Sequence, residues 1–245
     1  MKLLLIQIRD DQVMRDHEFN CVIKRSGLSA KDIIRFDAIG ESVTLDLLNG
    51  IDALVIGGSG EYSVAQKNNL KVNAAIISLI IEARKRRLPM LGICYGAHVL
   101  AEAFGGKVIK DKEHEEVGTH TVTTNSYAKN CPIFSQMPHE FSAQFGHSDH
   151  IVELPVGAVN LASSSLSAIQ AFVFPGEPIY GLTFHPELDE QALLERIEYY
   201  TNTYDWSPEA VQQMKSSIGK TPEAQRVLKL FLDEIVTNGL VYVVI

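Results

Sequence analysis

The first half of the chain alternates between short apolar runs and longer mixed ones. The apolar runs at 2–8, 32–37, 51–56, 89–93 and 106–110 are short enough to be strands buried on both faces. The stretches at 13–27, 41–49, 72–87 and 96–104 between them are helix-like. Strands alternating with helices predict a mostly parallel sheet flanked by helices, with active residues at the carboxyl ends of the strands. From about 118 to 185 the pattern becomes β-rich, with runs at 119–123, 140–145, 168–173 and 179–184. Beyond Pro186 it turns helical at 190–200 and 222–237, and 204–221 reads as a helical hairpin or linker. The expected division is a main α/β domain over 1–200 and a helical appendage over 201–245 packed on it. The apolar end Leu240-Val241-Tyr242-Val243-Val244-Ile245 is a candidate docked strand, homodimer contact or edge needing cover.

Composition narrows the classes. At 245 residues, 46% hydrophobic and 21% charged, the chain can bury a large core and shows no disorder signature. A net charge of −8 argues against nucleic-acid or anionic-membrane binding. The one basic cluster, Arg84-Lys85-Arg86-Arg87, falls where it complements a helix C-terminus. No run approaches the roughly 20 apolar residues of a membrane span. Cys21, Cys94 and Cys131 show no C-x-x-C spacing, which fits a reducing cytoplasm.

The candidate chemistry centres on Gly92-Ile93-Cys94-Tyr95-Gly96, where an apolar strand runs into a helix-like segment. A reactive residue between glycines at a strand-to-helix turn is the nucleophile-elbow pattern, here with cysteine. The turn forces its neighbours together, so they must be small. The following helix points its positive end at the sulfur. Downstream stands Phe184-His185-Pro186-Glu187. On an extended strand the side chains of His185 and Glu187 would share a face, giving the base and its orienting carboxylate. The run 51–56 ends in Gly57-Gly58-Ser59-Gly60, which suits an oxyanion loop. It matches neither G-x-G-x-x-G nor a P-loop, so a phosphate cradle is the weaker reading.

Together with Gly105-Gly106-Lys107-Val108, Glu116-Val117-Gly118 and His147-Ser148-Asp149, these segments resemble the class I glutamine amidotransferases, in the family's order. The resemblance implies a flavodoxin-like fold. It also implies hydrolysis of the glutamine side-chain amide through a γ-glutamyl thioester on Cys94, releasing ammonia. Cys94, His185 and Glu187 would be catalytic, and the Gly58 and Tyr95 amides would bind the oxyanion. Gly57, His98, Gly146 and His147 would contact substrate, with Glu116 bordering the cleft. Two of these positions depart from the family. His98 stands where the family usually has Gln, and Gly146 where it often has Ser. Both departures face the α-amino and α-carboxylate end of the substrate.

No cofactor is implied, and the chain is too short beyond its catalytic segment for an ATP-binding synthetase. The implied partners are therefore a small glutamine-like or γ-glutamyl substrate and a separate synthetase that accepts the ammonia. The alternative is a stand-alone γ-glutamyl peptide or amide hydrolase. A non-catalytic binding protein is the third reading, and the intact Cys94, His185 and Glu187 argue against it. His147-x-x-His150 with Asp149, and Glu113-His114-Glu115-Glu116, hold metal-ligand residue types but lack the spacing of a structural zinc site. No metal site is expected.

Overall fold

A computed structural model describes residues 1–201, 203–204 and 206–242. Its centre is a nine-stranded mixed sheet. Strands β1 (Leu3–Gln7), β2 (Ile33–Asp37), β3 (Ala53–Ile56), β4 (Met90–Ile93) and β11 (Ile179–Leu182) form the parallel half, in the order β2-β1-β3-β4-β11. Every residue of β1, β3, β4 and β11 is buried, as strands covered on both faces require. Helices α1 (Gln12–Ser26), α2 (Leu70–Lys85) and α3 (Tyr95–Ala103) follow β1, β3 and β4 in the chain. Two large apolar clusters pack against the sheet. One contains Leu3, Leu5, Val55 and Ile93, the other Leu4, Ile6, Leu54 and Ile56, which is the period-two alternation of each strand.

Beyond β11 the sheet continues antiparallel through β10 (Ala171–Val173), β9 (Val159–Ser163), β6 (Glu116–Thr124) and β7 (Glu140–His147). The run at 107–110 does not join it. As β5 (Lys107–Lys110) it pairs with β8 (Asp149–Glu153) in a separate two-stranded ribbon. Neither β8 nor β9 was expected from the pattern, because each is short and only partly apolar.

The expected helix at 41–49 is a single tight turn, Leu45–Leu48. The segment is short, carries β-branched Val43 and Thr44, and is bounded by Gly40 and Gly50, so nothing offsets the cost of nucleating a helix there. Near the C-terminus, α4 (Glu190–Tyr200) and α5 (Pro208–Ser217) are regular helices. The 222–237 run is instead a tight turn at Ala224–Arg226, one α-helical turn α6 (Val227–Leu230) and a wider helical segment Phe231–Thr237. Its residues Val227, Leu228, Phe231 and Ile235 are buried in the same cluster as Leu3 and Val55. Tyr242 is fully buried, and its carbonyl accepts from the Gly176 amide at 2.7 Å. The rest of the apolar end, Val243 to Ile245, lies outside the described residues. No described helix is long and apolar enough to cross a membrane.

Candidate active site

Strands β3, β4 and β11 end side by side, because Ile56 is paired with Gly92, and Leu182 with Ile93. Three loops therefore leave the sheet at one place, carrying Gly57-Gly58, Cys94 and His185. The elbow is built as its glycines demand. A Cβ on Gly96 would lie 2.1 Å from the Ile56 carbonyl oxygen, and one on Gly92 would lie 2.5 Å from the Gly96 backbone. That closeness lets the Gly96 amide donate to the Gly57 carbonyl at 3.1 Å, tying the elbow to the glycine loop. Cys94 takes φ 51° and ψ −107°, a left-handed conformation costing a non-glycine residue about 1–3 kcal/mol. It directly precedes α3, so the positive end of the helix faces its backbone.

His185 reaches Cys94 differently from the expectation. His185 and Glu187 are not on an extended strand, because β11 ends at Leu182 and the two residues lie in the turn beyond it. The His185 amide donates to the Gln144 carbonyl at 2.8 Å, which holds this turn against β7. The pairing survives the change of backbone. His185 Nδ1 lies 2.8 Å from Glu187 Oε1, so the carboxylate fixes the proton on Nδ1. The same ring is a neighbour of Cys94 in the pocket, both of them facing Gly58. Burial alone would depress the His185 pKa, but the Glu187 carboxylate and then Cys94 outweigh it and raise it to about 9. Burial would likewise raise Glu187, yet His185 and Arg196 hold it well below the usual carboxylate range.

The Gly58 and Tyr95 amides, the expected oxyanion donors, find no acceptor among the described residues. Gly58 also leaves room for the base, since a Cβ there would sit 2.9 Å from His185 Cε1 and 3.7 Å from the Cys94 Cβ. Gly57 lies behind this surface, with its Cα facing Glu18. Cys94, His185, His98, Gly146 and His147 line one pocket. His98 is buried and its Nε2 has no partner. Burial drives its pKa down to about 4, against the opposing pull of Asp149. His147 packs edge-on to it, with ring centroids 5.7 Å apart.

Several residues here were not singled out by the sequence. Arg196 Nη1 lies 3.1 Å from Glu187 Oε1, so the orienting carboxylate has its own cation. Arg196 shares the inward stripe of α4 with Ala192, Leu193, Ile197 and Tyr200, and an arginine on such a stripe was its signal. Arg9 follows β1, forms a buried ion pair with Glu18 at 3.0 Å and lines the pocket. A charge just past the carboxyl end of a core strand was the clue there. Tyr204 and Trp206, stacked at 4.8 Å, complete one wall, and nothing in their spacing announced it.

The glutamine amidotransferase class I family model matches residues 16–197. The chain belongs to the class I glutamine amidotransferases. Among relatives, a component protein of the glutamine-hydrolysing GMP synthase of Thermoplasma acidophilum is 29% identical over 187 residues, covering 76% of this chain and 86% of that protein. The corresponding component from Methanocaldococcus jannaschii is 28% identical over 184 residues, covering 75% and 88%. Against the longer glutamine-hydrolysing GMP synthase of Nitratiruptor sp., 29% identity extends over 177 residues but covers only 33% of that protein. In fold, the chain is similar to a glutamine amidotransferase of Thermotoga maritima, with TM-score 0.72 at 23% identity over 97% of this chain and 98% of that one. The elbow, the histidine-carboxylate turn and the mixed sheet thus sit in a family of glutamine-hydrolysing enzymes.

Proposed function

We propose that this chain hydrolyses the γ-carboxamide of glutamine through a cysteinyl thioester. The observation that carries the reading is the gathering of Cys94, His185 and Glu187 at one pocket, with Arg196 bracing the carboxylate. His185, whose surroundings favour the imidazolium, takes the thiol proton as the sulfur attacks. The sulfur attacks the amide carbon, and the Gly58 and Tyr95 amides receive the oxygen as it becomes negative. His185 returns its proton to the nitrogen, the carbon–nitrogen bond breaks and ammonia leaves. Water, deprotonated by the same imidazole, then cleaves the thioester to glutamate and the free thiol.

The ammonia acceptor in this reading is a separate synthetase protein. The two GMP synthase components from Thermoplasma and Methanocaldococcus support it, since the chain matches them over most of their length. The second reading is hydrolysis of γ-glutamyl peptides or amides by the same chemistry. It is favoured by His98, buried without a partner at Nε2, and by the Tyr204–Trp206 wall. Turnover of glutamine, γ-glutamyl dipeptides and γ-glutamyl amides, measured with and without the ATP-binding component of a GMP synthetase, tests both. Glutamine turnover that rises with the added component supports the first. Turnover confined to dipeptides or amides replaces it with the second.

A further inference from the structure

The same pocket wall holds a second histidine–glutamate cluster, to which the hydrolytic reading gives no part in the bond-breaking steps. Glu116 on β6 is in direct register with His147 on β7, so their side chains meet as a cross-strand pair. His150 on β8 folds in beside them, its ring 5.1 Å from that of His147. One donor atom from each of Glu116, His147 and His150 lies within 4.8 Å of the others, and all three residues are buried. We propose that these three residues form a binding site for a divalent transition-metal ion, zinc before the others.

Three features support the assignment. The first is unspent coordinating capacity. Both ring nitrogens of His147 and Nε2 of His150 are buried without a hydrogen-bond partner, and the His147 side chain is only 3% exposed. Buried polar groups in this state call for a ligand or an ordered partner. The second is charge. Glu116 is fully buried, and its only ion-pair partner among the described residues is His147, at 3.6 Å. No described lysine or arginine pairs with it, so this buried carboxylate calls for a cation.

The third is the surrounding support. Glu116 Oε1 accepts from Ser164 Oγ at 2.7 Å and Oε2 from Gln170 Nε2 at 2.5 Å. Gln170 is itself held by Thr183. Such outer hydrogen bonds orient a ligating carboxylate and leave it lone pairs to spare. Two imidazoles and one carboxylate suit zinc and its neighbours, whereas calcium and magnesium prefer all-oxygen sets. Tetrahedral zinc wants donors about 3.3 Å apart, so small side-chain rotations of the two histidines would close the site. His147 also lines the Cys94 pocket, which supplies the route of entry.

Cobalt(II) titrated into the Cys94→Ala protein tests the site with the pocket thiol removed. The expected result is one equivalent bound, with visible bands of nitrogen and oxygen ligation and no thiolate charge-transfer band. His150→Ala should weaken binding by about 100-fold or more, since loss of mere outer partners already costs 10–100-fold. Glu116→Gln, which keeps shape and hydrogen bonding, serves the same purpose should His150→Ala fail to fold. Zinc should also raise the Tm of the wild-type protein and leave that of the folded ligand variant unchanged. Absence of saturable binding, a thiolate band, or equal affinity in the folded variants would overturn the proposal.

Discussion

Two glutamate–histidine pairs border one pocket and are polarised in opposite directions. Around His185, the carboxylate is 2.8 Å away and is itself braced by Arg196, and Cys94 lies on the other side. Around His147, the carboxylate is 3.6 Å away with both oxygens engaged by neutral donors, and the remaining neighbours include His98 and His150. Both rings are deeply buried, so burial depresses both. At His185 the close carboxylate wins, and at His147 nothing does. Residue type alone therefore sets neither role. A tight, braced carboxylate favours the charged ring, and a more distant one leaves burial in control.

The hardest test of the first pair is removal of its nucleophile. Cys94→Ala should cut kcat/KM by about four orders of magnitude or more with the fold intact, and Cys94→Ser should be nearly as inactive. His185→Ala should approach that loss, because it removes both the base and the proton donor. Glu187→Gln should cost less, about 100-fold, since it spares the base and removes its orientation and charge. It should also reverse the polarity of the comparison. Without the carboxylate, burial governs His185, and its imidazole resonances should titrate below 6.5 instead of near 9. Glu116→Gln should leave the His185 titration where it is.

Stability against pH separates the pairs further. His185 has a folded pKa raised to about 9, so its contribution is complete below its unfolded value of about 6.5 and is lost as pH rises through 9. His98, lowered to about 4, acts in the other direction. Between pH 6.5 and 4 the unfolded chain takes up a proton that folded His98 refuses, so stability falls with acid. His98→Gln should remove up to about 3 kcal/mol of that acid-side loss, read from urea unfolding across the window. The smallest expected effect is on specificity. His98→Gln with Gly146→Ser should lower KM for free glutamine by about tenfold and change acyl transfer little, if both residues act at the α-amino and α-carboxylate end as the resemblance implies. An unchanged preference among glutamine and γ-glutamyl compounds would show that these positions do not select the substrate.

What the sequence revealed and what it hid follow from distance along the chain. The elbow was legible because its strand, cysteine, glycines and helix are contiguous, and each constrains the next. His185 and Glu187 were legible as neighbours, although the strand geometry inferred for them belongs to the residues before Leu182. Arg196 completes the same group from a helix whose pattern looked merely amphipathic. Glu116 and His147 were visible as cleft residues by resemblance, but as a group with His150 they appeared only as fragments of two metal motifs that lack zinc spacing. The β6–β7 register unites them, and no local spacing encodes that register. The parallel strands were readable because burial on both faces makes them uniformly apolar. β8 and β9 were not, because each carries exposed or half-buried positions.

The proposed acyl acceptor is the Cys94 sulfur, activated by His185 and Glu187. The chain supplies its own controls. Burial pushes the Cys21 thiol up to about 12 and raises that of Cys131 as well, so both should be inert. Treatment with a glutamine-analogue electrophile, followed by intact and peptide mass spectrometry, compares all three. The predicted result is a single adduct on the Cys94 peptide, absent in Cys94→Ala, greatly slowed in His185→Ala and suppressed by excess substrate. An adduct on Cys21 or Cys131, or labelling of Cys94 that proceeds unchanged in His185→Ala, would show that Cys94 is not a nucleophile activated by His185.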